Sequence, residues 1–438
     1  MKGNGQNSRA MLWVPTLYFA EGIPYFMVNV ISVTMFKRLG MSNGDLAMYT
    51  SLLYLPWVIK PLWSPFVDII RTKRWWIVTM QVLVSICFLA LALTLPHPSA
   101  DVIASGTAPV SPFIVTLVLF YICALASATH DIAADGFYML ALDPHRQSLF
   151  VGIRSTFYRI ASVFGQGVLV VLAGVLESRY GDIPRAWTVT ILICAALFAA
   201  ITLWHVYALP KVEEEKTEGT SSGVLPVLSE FGRAFATFFR KPGVWAAVVF
   251  MLLYRLPEAL SVKMLSPFML DPVESGGLGL TTVQSGMVYG TVGVIALTLG
   301  GILGGVMAAR WGLRKALWPM ALSLALPCAV YLYMSIATPS LWVIYLCVAF
   351  DQFGYGFGFT AYMLYMIYFS EGEFKTSHYA ICTAFMALSM MLPGLFAGYM
   401  QESMGYTGFF VAVMVCCLAT VAMTFVIRRR IDPEFGRK

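Results

Sequence analysis

The apolar positions of this chain fall into long runs that short polar connections separate. A helix needs about 20 mostly apolar residues to cross roughly 30 Å of hydrocarbon. Runs longer than about 25 residues predict helices that are tilted, kinked or extended beyond the bilayer. Twelve runs have the required length: 11–36, 45–70, 75–95, 112–142, 148–177, 186–209, 243–271, 281–310, 314–336, 340–370, 376–402 and 405–428.

The composition strengthens this prediction. Hydrophobic residues make up 59% of the chain and charged residues only 12%. A soluble chain of 438 residues could not bury that much apolar surface. All eight Cys residues lie in predicted spans, without a CxxC pair or a His–Cys cluster, and are interpreted as small buried side chains. We therefore expect an all-α polytopic membrane protein with twelve transmembrane helices and no metal or cofactor.

The positive charges predict the orientation. Of the 29 Lys and Arg residues, 20 lie on the side of the termini, four on the other side and five within helices. Cytoplasmic loops carry the excess of Lys and Arg, so both termini are expected in the cytoplasm. The net charge of +6 follows from this bias, and attraction to the inner leaflet accounts for it. A nucleic-acid partner is therefore not expected.

The chain divides into two similar halves. Residues 210–242 begin with the polar stretch PKVEEEKTEGTSSG and continue into a segment with Phe residues at helical spacing. This pattern predicts a linker with an amphipathic helix on the inner membrane surface. The flanking halves, 1–209 and 243–438, share identities at an offset of 224 residues, such as Tyr138-Met139-Leu140 with Tyr362-Met363-Leu364. Two six-helix repeats with a linker resemble the major facilitator superfamily, whose solute site lies between the repeats near midmembrane.

Charged residues interrupt several spans of the first half. The fourth span contains the stretch ATHDIAADGFYML (128–140). Charges in hydrocarbon are unfavourable unless they face a wet cavity, find partners or have a function. The fourth and fifth spans run in opposite directions, so residues equally far from their connection near residue 145 lie at the same depth. This predicts that Asp131 lies level with Arg159, and Asp135 nearly level with Arg154. The predicted charged cluster comprises Glu21, Lys60, Asp131, Asp135, Arg154 and Arg159. It can be an ion-pair network that holds helices in register, or a site of solute contact and proton coupling; Asp131 with Arg159 is the first choice for the coupling switch.

A second set of residues predicts the solute site. Arg255 and Glu258 lie three residues apart in the seventh span, so they can also simply pair with each other. Aromatic residues could stack on sugar rings, although such residues more often only pack. The predicted solute-binding residues are Tyr25, Tyr158, Arg255, Glu258, Asp351, Tyr355, Phe359 and Tyr362.

Two loops resemble the signature loop of this superfamily. They read SPFVDIIRTKRWW after the second span and GGILGGVMAARWGLRKAL in the eighth. Small residues let helices approach closely, and the charges could latch the cytoplasmic face. A plain cluster of inner positive charges is the alternative. The predicted cytoplasmic gate comprises Asp68, Arg71, Arg74, Arg310 and Arg314.

Four motifs resemble a particular branch of the superfamily, the AmpG-like family. They are EGIPYF (21–26), PLWSPFVD (61–68), SATHDIAADGFYMLALDPHRQ (127–147) and FYRIASVFGQG (157–167). That family contains bacterial muropeptide permeases, siderophore importers and acetyl-coenzyme A transporters. The resemblance implies a monomeric importer in the bacterial inner membrane for a small-molecule solute, foremost a muropeptide or related amino-sugar glycopeptide. Siderophore-like or other peptidic compounds and acetyl-coenzyme A are the alternative solutes.

Other classes of protein fit the sequence less well. We find no HExxH, GxSxG, metal cluster or phosphate-binding loop, so an enzyme is not expected. A non-transporting receptor would have little reason to keep a two-fold repeat with charges on both sides of its interface. Without a nucleotide site, energy must come from a gradient. Several acids within the spans therefore predict proton-coupled alternating access.

Overall fold

The computed structural model describes residues 2–212 and 224–435, without the side chains of 2–9, 68–69, 144–145, 148–149, 151 and 224–228. The described chain is helical almost throughout. The first bundle contains α1 (2–38), α2 (Asn43–Leu52 and Leu55–Ile69), α3 (Lys73–Thr94), α4 (Ser111–Ala141), α5 (144–180) and α6 (Ile183–Ala208). The second contains α7 (Val244–Leu270), α8 (Thr282–Trp311), α9 (Leu313–Ala337), α10 (Leu341–Ser370), α11 (375–404) and α12 (406–428).

Twelve helical segments cross the predicted membrane region. Within the described residues, nine continuous helices are long and apolar enough to span a bilayer. One of them, Lys375–Arg428, is divided at Gly405, where the backbone has φ +68°. The remaining segments are α2, which is broken in its middle, and α10, which contains Asp351 and several glycines. The structure thus confirms the twelve-helix, two-bundle architecture.

Prolines explain two breaks within helices. A proline has no N–H and clashes with the carbonyl four residues earlier, so helices break or kink before it. Helix α2 is interrupted at Leu53 and Tyr54, two residues before Pro56. Helix α7 is interrupted at Arg255, two residues before Pro257. Arg255 lies at this break and is buried.

Three helices contain π-helical turns at the interface between the bundles. They are Met27–Ile31 in α1, Phe164–Leu169 in α5 and Gly286–Gly293 in α8. Such turns widen a helix locally and are frequent at functional sites. A Cβ atom added to Gly290 would lie 2.1 Å from the carbonyl oxygen of Gln166. The two π-helical turns of α5 and α8 therefore touch backbone to backbone.

The linker helix, Val224–Phe239, packs against protein. Phe238 and Ala234 are buried, and the Phe238 ring lies against Phe369, His378 and Phe385. Helices α10 and α11 thus cover part of the apolar face of this helix, and its place on the inner membrane surface stays a prediction. The polar stretch at 213–223 lies outside the described residues.

Candidate functional site

Four helices of the first bundle bring charged side chains together in one cluster. Lys60 of α2 forms an ion pair with Asp131 of α4. Arg154 of α5 donates to Asp135, with 2.6 Å between Nη2 and Oδ1. The Tyr18 hydroxyl of α1 donates to the same oxygen over 3.3 Å. Each acid of α4 therefore has a cation from a different helix.

Glu21 adds a third acid that has no cation of its own. Carboxylate oxygens of Glu21, Asp131 and Asp135 all lie within 4.8 Å of one another. Glu21 is only 7% exposed, and within the described chain its Oε2 has no hydrogen-bond partner. The three oxygens are close enough to hold a cation, but Lys60 and Arg154 already neutralise two of the acids. The cluster therefore contains one more acid than cations.

Arg159 does not join this cluster. Its depth in the membrane predicts a pair with Asp131, but in the structure Asp131 forms its ion pair with Lys60. Arg154 and Arg159 are five residues apart, which rotates them by about 140° around the helix axis. Arg159 instead crosses to the second bundle and donates to Thr298 of α8, with 3.3 Å between Nη1 and Oγ1. In this conformation Asp131 therefore pairs with Lys60 and not with Arg159, and its role as the coupling switch stays a prediction.

The second bundle has its own charged pair opposite this cluster. Arg255 donates two hydrogen bonds of 2.7 and 2.8 Å to Glu258. It also donates to the Tyr355 hydroxyl over 3.1 Å, and its guanidinium lies 4.7 Å from the centre of the Phe359 ring. Bidentate geometry makes such a pair strong. The interpretation that these two residues pair with each other is therefore correct, and Tyr355 and Phe359 extend the pair toward the cavity.

Asp351 and Tyr362 have different surroundings. Asp351 accepts hydrogen bonds from Tyr331 (2.6 Å) and Gln352 (3.0 Å) and lines a small cavity with Glu258 and Tyr355. Tyr362 is fully buried, and its hydroxyl donates to the carbonyl of Met251 over 2.7 Å. The prediction that Tyr362 contacts solute is wrong in this conformation, because its ring packs between helices of one bundle.

Aromatic side chains line the first-bundle wall of the same region. Tyr25 lies edge-on to Trp57, with 5.3 Å between ring centres. Tyr158 packs on Phe26 at 5.5 Å. Both tyrosines are half-buried, so they remain available as stacking surfaces.

Among the described side chains, the predicted cytoplasmic gate shows no contact that joins the two bundles in this conformation. Arg74 donates to the carbonyls of Val206 and Leu209 at the end of α6, in its own bundle. Arg71 lies 5.9 Å from the ring centre of Trp75, and Arg310 is exposed. The Arg314 carbonyl accepts from Arg428 over 3.1 Å, and the Asp68 side chain lies outside the described residues. The hydrogen bonds of Arg74 and Arg428 thus go to backbone carbonyls within their own half of the chain.

The bundles are instead closed at the outer face, where the helices end opposite the termini. Lys37 of α1 forms a 2.5 Å ion pair with Asp271, which follows α7. The Asn43 amide nitrogen lies 2.7 Å from Gln401, 3.1 Å from Tyr406 and 3.1 Å from Asp271. We call these five residues the outer latch. Sequence reasoning missed the latch, because it counted Lys37 only as a loop charge.

A second contact closes the same face between α5 and α8. Glu177 is 8% exposed and accepts hydrogen bonds from Arg38, from Trp187 and from Thr282 of the second bundle. In contrast, the side chains of Asp135 and Arg154 are 40% and 32% exposed. Part of the charged cluster is therefore accessible, whereas the outer face is closed by these contacts.

This fold and site define a membrane transporter with two bundles around a central cavity. Residues 16–373 match the family model of the Major Facilitator Superfamily, and the chain belongs to this family. Among solved structures, a bacterial homologue of the human lysosomal transporter Spinster, inward-facing and unoccupied, has a TM-score of 0.71 at 16% identity. The match covers 97% of both chains. The nucleoside transporter NupG has a TM-score of 0.69 at 16% identity, covering 96% of this chain and 99% of that chain.

Distant full-length relatives carry names of the AmpG group, in agreement with the motif resemblance. The putative transporter AmpG 4 of Rickettsia felis is 23% identical over 430 residues, covering 95% of this chain and 96% of that protein. The anhydromuropeptide permease of Escherichia coli K12 is 22% identical over 426 residues, covering 95% of this chain and 79% of that protein. The protein is therefore a transporter and not an enzyme.

Proposed function

We propose that this protein imports a muropeptide or a related amino-sugar glycopeptide together with a proton. The observation that carries the coupling is the charge balance of the cluster, in which three acids face two cations. Burial of an unbalanced carboxylate is unfavourable. One proton on the Glu21–Asp131 pair therefore stabilises the inward-facing conformation, and its release into the cavity changes that stability.

The cavity offers complementary groups for such a solute. A glycopeptide carries carboxylates and sugar rings. Arg159 donates to only one hydroxyl within the described chain and has further N–H groups for a carboxylate. Tyr25, Tyr158 and Tyr355 offer ring faces and hydroxyls. The names of the relatives support this class of solute over siderophores and acetyl-coenzyme A.

The membrane setting completes the proposal. The excess of Lys and Arg on the side of the termini supports a cytoplasmic location for both ends. The bacterial names of the relatives support the inner membrane. In that orientation the cavity opens to the cytoplasm, as expected after an importer has delivered its solute. The protein would work as a monomer, with each chain holding one complete cavity.

The test is counterflow in proteoliposomes. Vesicles are loaded with unlabelled anhydromuropeptide, and entry of labelled anhydromuropeptide is measured. N-acetylglucosamine disaccharides, a siderophore and acetyl-coenzyme A are added as competitors in separate samples. We expect amino-sugar compounds alone to compete, and Arg159→Gln to abolish exchange.

An exposed arginine provides the matched control. Arg185→Gln removes a cation from the outer surface, where it lies beside Tyr180, and should leave exchange unchanged. Exchange driven by a siderophore or acetyl-coenzyme A, without any response to amino sugars, would contradict the proposed solute class. Unchanged exchange in Arg159→Gln would contradict the role of this residue.

A further inference from the structure

Lys263 of α7 is a buried amine that the charged cluster does not include. Its side chain is 1% exposed. Nζ donates to the Thr50 hydroxyl over 3.1 Å and lies 5.0 Å from the centre of the Tyr54 ring. Thr50 and Tyr54 both belong to the α2 region of the other bundle. The amine is therefore held between the two bundles.

The seam around this amine is closely packed. A Cβ atom added to Gly394 of α11 would lie 2.2 Å from Ser51 Oγ and 3.2 Å from Lys263 Cγ. Tyr54 packs in one apolar cluster with Ala259, Met390 and Met391. Helices α2, α7 and α11 therefore meet directly around Lys263, and separation of α2 from α7 would admit water to its amine.

The surroundings of Lys263 offer an ammonium group one hydroxyl and the face of the Tyr54 ring, and no anion among the described residues. Thr50 donates its own hydrogen to the Leu46 carbonyl over 2.6 Å, so toward Lys263 its hydroxyl oxygen acts as an acceptor and not as a donor. An ammonium has three N–H donors, and within the described part of the chain Thr50 is its one hydrogen-bond partner. No acid of the described residues forms an ion pair with it.

Titratable groups nearby are engaged elsewhere. Tyr54 is the titratable side chain in contact with the amine across the seam. On α7 itself, Arg255 and Glu258 bind each other. Asp271, two turns further along the chain, pairs with Lys37 in the outer latch. None of these groups provides a negative charge beside Lys263.

We propose that Lys263 is a conformational switch that exchanges its proton only with the outer solution and so links outward opening to protonation. The amine is neutral while the outer face is closed, and it takes up one proton when α2 and α7 separate and water reaches it. A buried cation without a partner is strongly unfavourable, whereas a hydrated one is not. Protonation therefore favours the outward-open conformation. The link to solute import rests on the proposed function, but the conformational effect does not.

The sign and size of the effect follow from linkage. The open conformation binds one more proton than the closed one, so lower pH favours opening. Uptake of one proton changes the open-to-closed ratio by about tenfold per pH unit. We expect this slope between about pH 7 and 9, where a hydrated lysine remains charged.

The experiment measures opening directly and needs no solute. Spin labels are attached to cysteines at Ala104 and Glu274, which are exposed on the outer connections of the two bundles. The half-buried Cys347 and Cys416 are first replaced by Ala. Distance distributions from pH 7 to 9 then give the fraction of molecules with a separated outer face. The wild-type open fraction should fall as pH rises.

Two substitutions at the same position have opposite expected results. Lys263→Met keeps the length of the side chain without its charge, so the outer face should stay closed and lose this pH slope. Lys263→Arg keeps a charge at every pH, so the open fraction should be high and independent of pH. A misfolded protein would not give two ordered, opposite populations. Lys315→Met removes an exposed lysine and should behave like wild type.

The alternative role is solute binding by the amine. If Lys263→Met kept the wild-type pH slope and only weakened counterflow of anhydromuropeptide, Lys263 would be a solute ligand and the proposal would be wrong. A wild-type protein without any pH slope would also overturn it. Either result would leave the proposed transport activity to be judged separately by counterflow.

Discussion

Replacing Glu21 by Gln removes the proton that the carboxyl cluster is proposed to carry, while the side chain keeps its size. With one proton bound, Glu21, Asp131 and Asp135 carry two negative charges, which Lys60 and Arg154 balance. Glu21→Gln has the same balance without any proton. We therefore expect solute exchange to continue in this variant, whereas uphill uptake driven by a proton gradient is lost.

The charge count also predicts the size of the effect. One unbalanced acid corresponds to one proton for each solute molecule. With the membrane potential clamped at zero, one pH unit supplies about 1.4 kcal/mol per proton, or about tenfold accumulation. A gradient of about two pH units should then concentrate the solute roughly 100-fold in wild type. The variant should reach equal concentrations on both sides.

The assay uses proteoliposomes with valinomycin, equal potassium on both sides and an imposed pH gradient. Accumulation and counterflow are measured on the same preparation with a labelled amino-sugar solute. Glu373→Gln, which changes an exposed acid on the face of the termini, is the matched control. Wild-type accumulation in Glu21→Gln would refute the assignment of the proton. Loss of counterflow as well would show that Glu21 has another role.

Three further substitutions test the closed outer face and the solute wall. Asp271→Asn breaks an ion pair whose side chains are only 12% and 13% exposed, so the spin-labelled protein should shift toward outward-open; an unchanged distance would contradict the latch. Gly290→Ala adds a Cβ 2.1 Å from the Gln166 carbonyl, so transport should be lost while the melting temperature shows a folded protein, and normal transport would contradict this contact. Tyr355→Ala should weaken solute affinity several-fold, since stacking contributes ~1 kcal/mol, with an unchanged pH profile; a shifted profile would link Tyr355 to the proton.

The sequence alone determined the class of fold and its main divisions. Apolar runs of sufficient length leave a helix as the stable way to cross a bilayer, because every backbone N–H and C=O must be satisfied inside the segment. The repeat at an offset of 224 residues and the motifs around Asp131 and Arg159 indicated the superfamily and the AmpG-like relatives. The acids and cations within the spans could also be found by inspection, since charges are rare in hydrocarbon.

Only the tertiary structure decided which of these groups are partners. Sequence spacing predicts the depth of a residue, but not the rotation and crossing of its helix against a neighbour. Sequence spacing therefore predicts a pair of Asp131 with Arg159, whereas the packing of α2 against α4 places Lys60 beside Asp131. The same uncertainty made Tyr362 a candidate for the cavity, although its ring is buried within its own bundle.

The outer latch and the contacts of Lys263 also could not be predicted from sequence spacing. Lys37 and Asp271 are 234 positions apart, and Thr50 and Lys263 are 213 apart. Each pair exists only while the two bundles touch at the outer face. The local pattern of apolar residues predicts where a helix lies and how long it is, because these properties depend on neighbouring residues. Contacts between bundles depend on a conformational equilibrium of the whole molecule, and that equilibrium is set by packing between residues far apart in the chain.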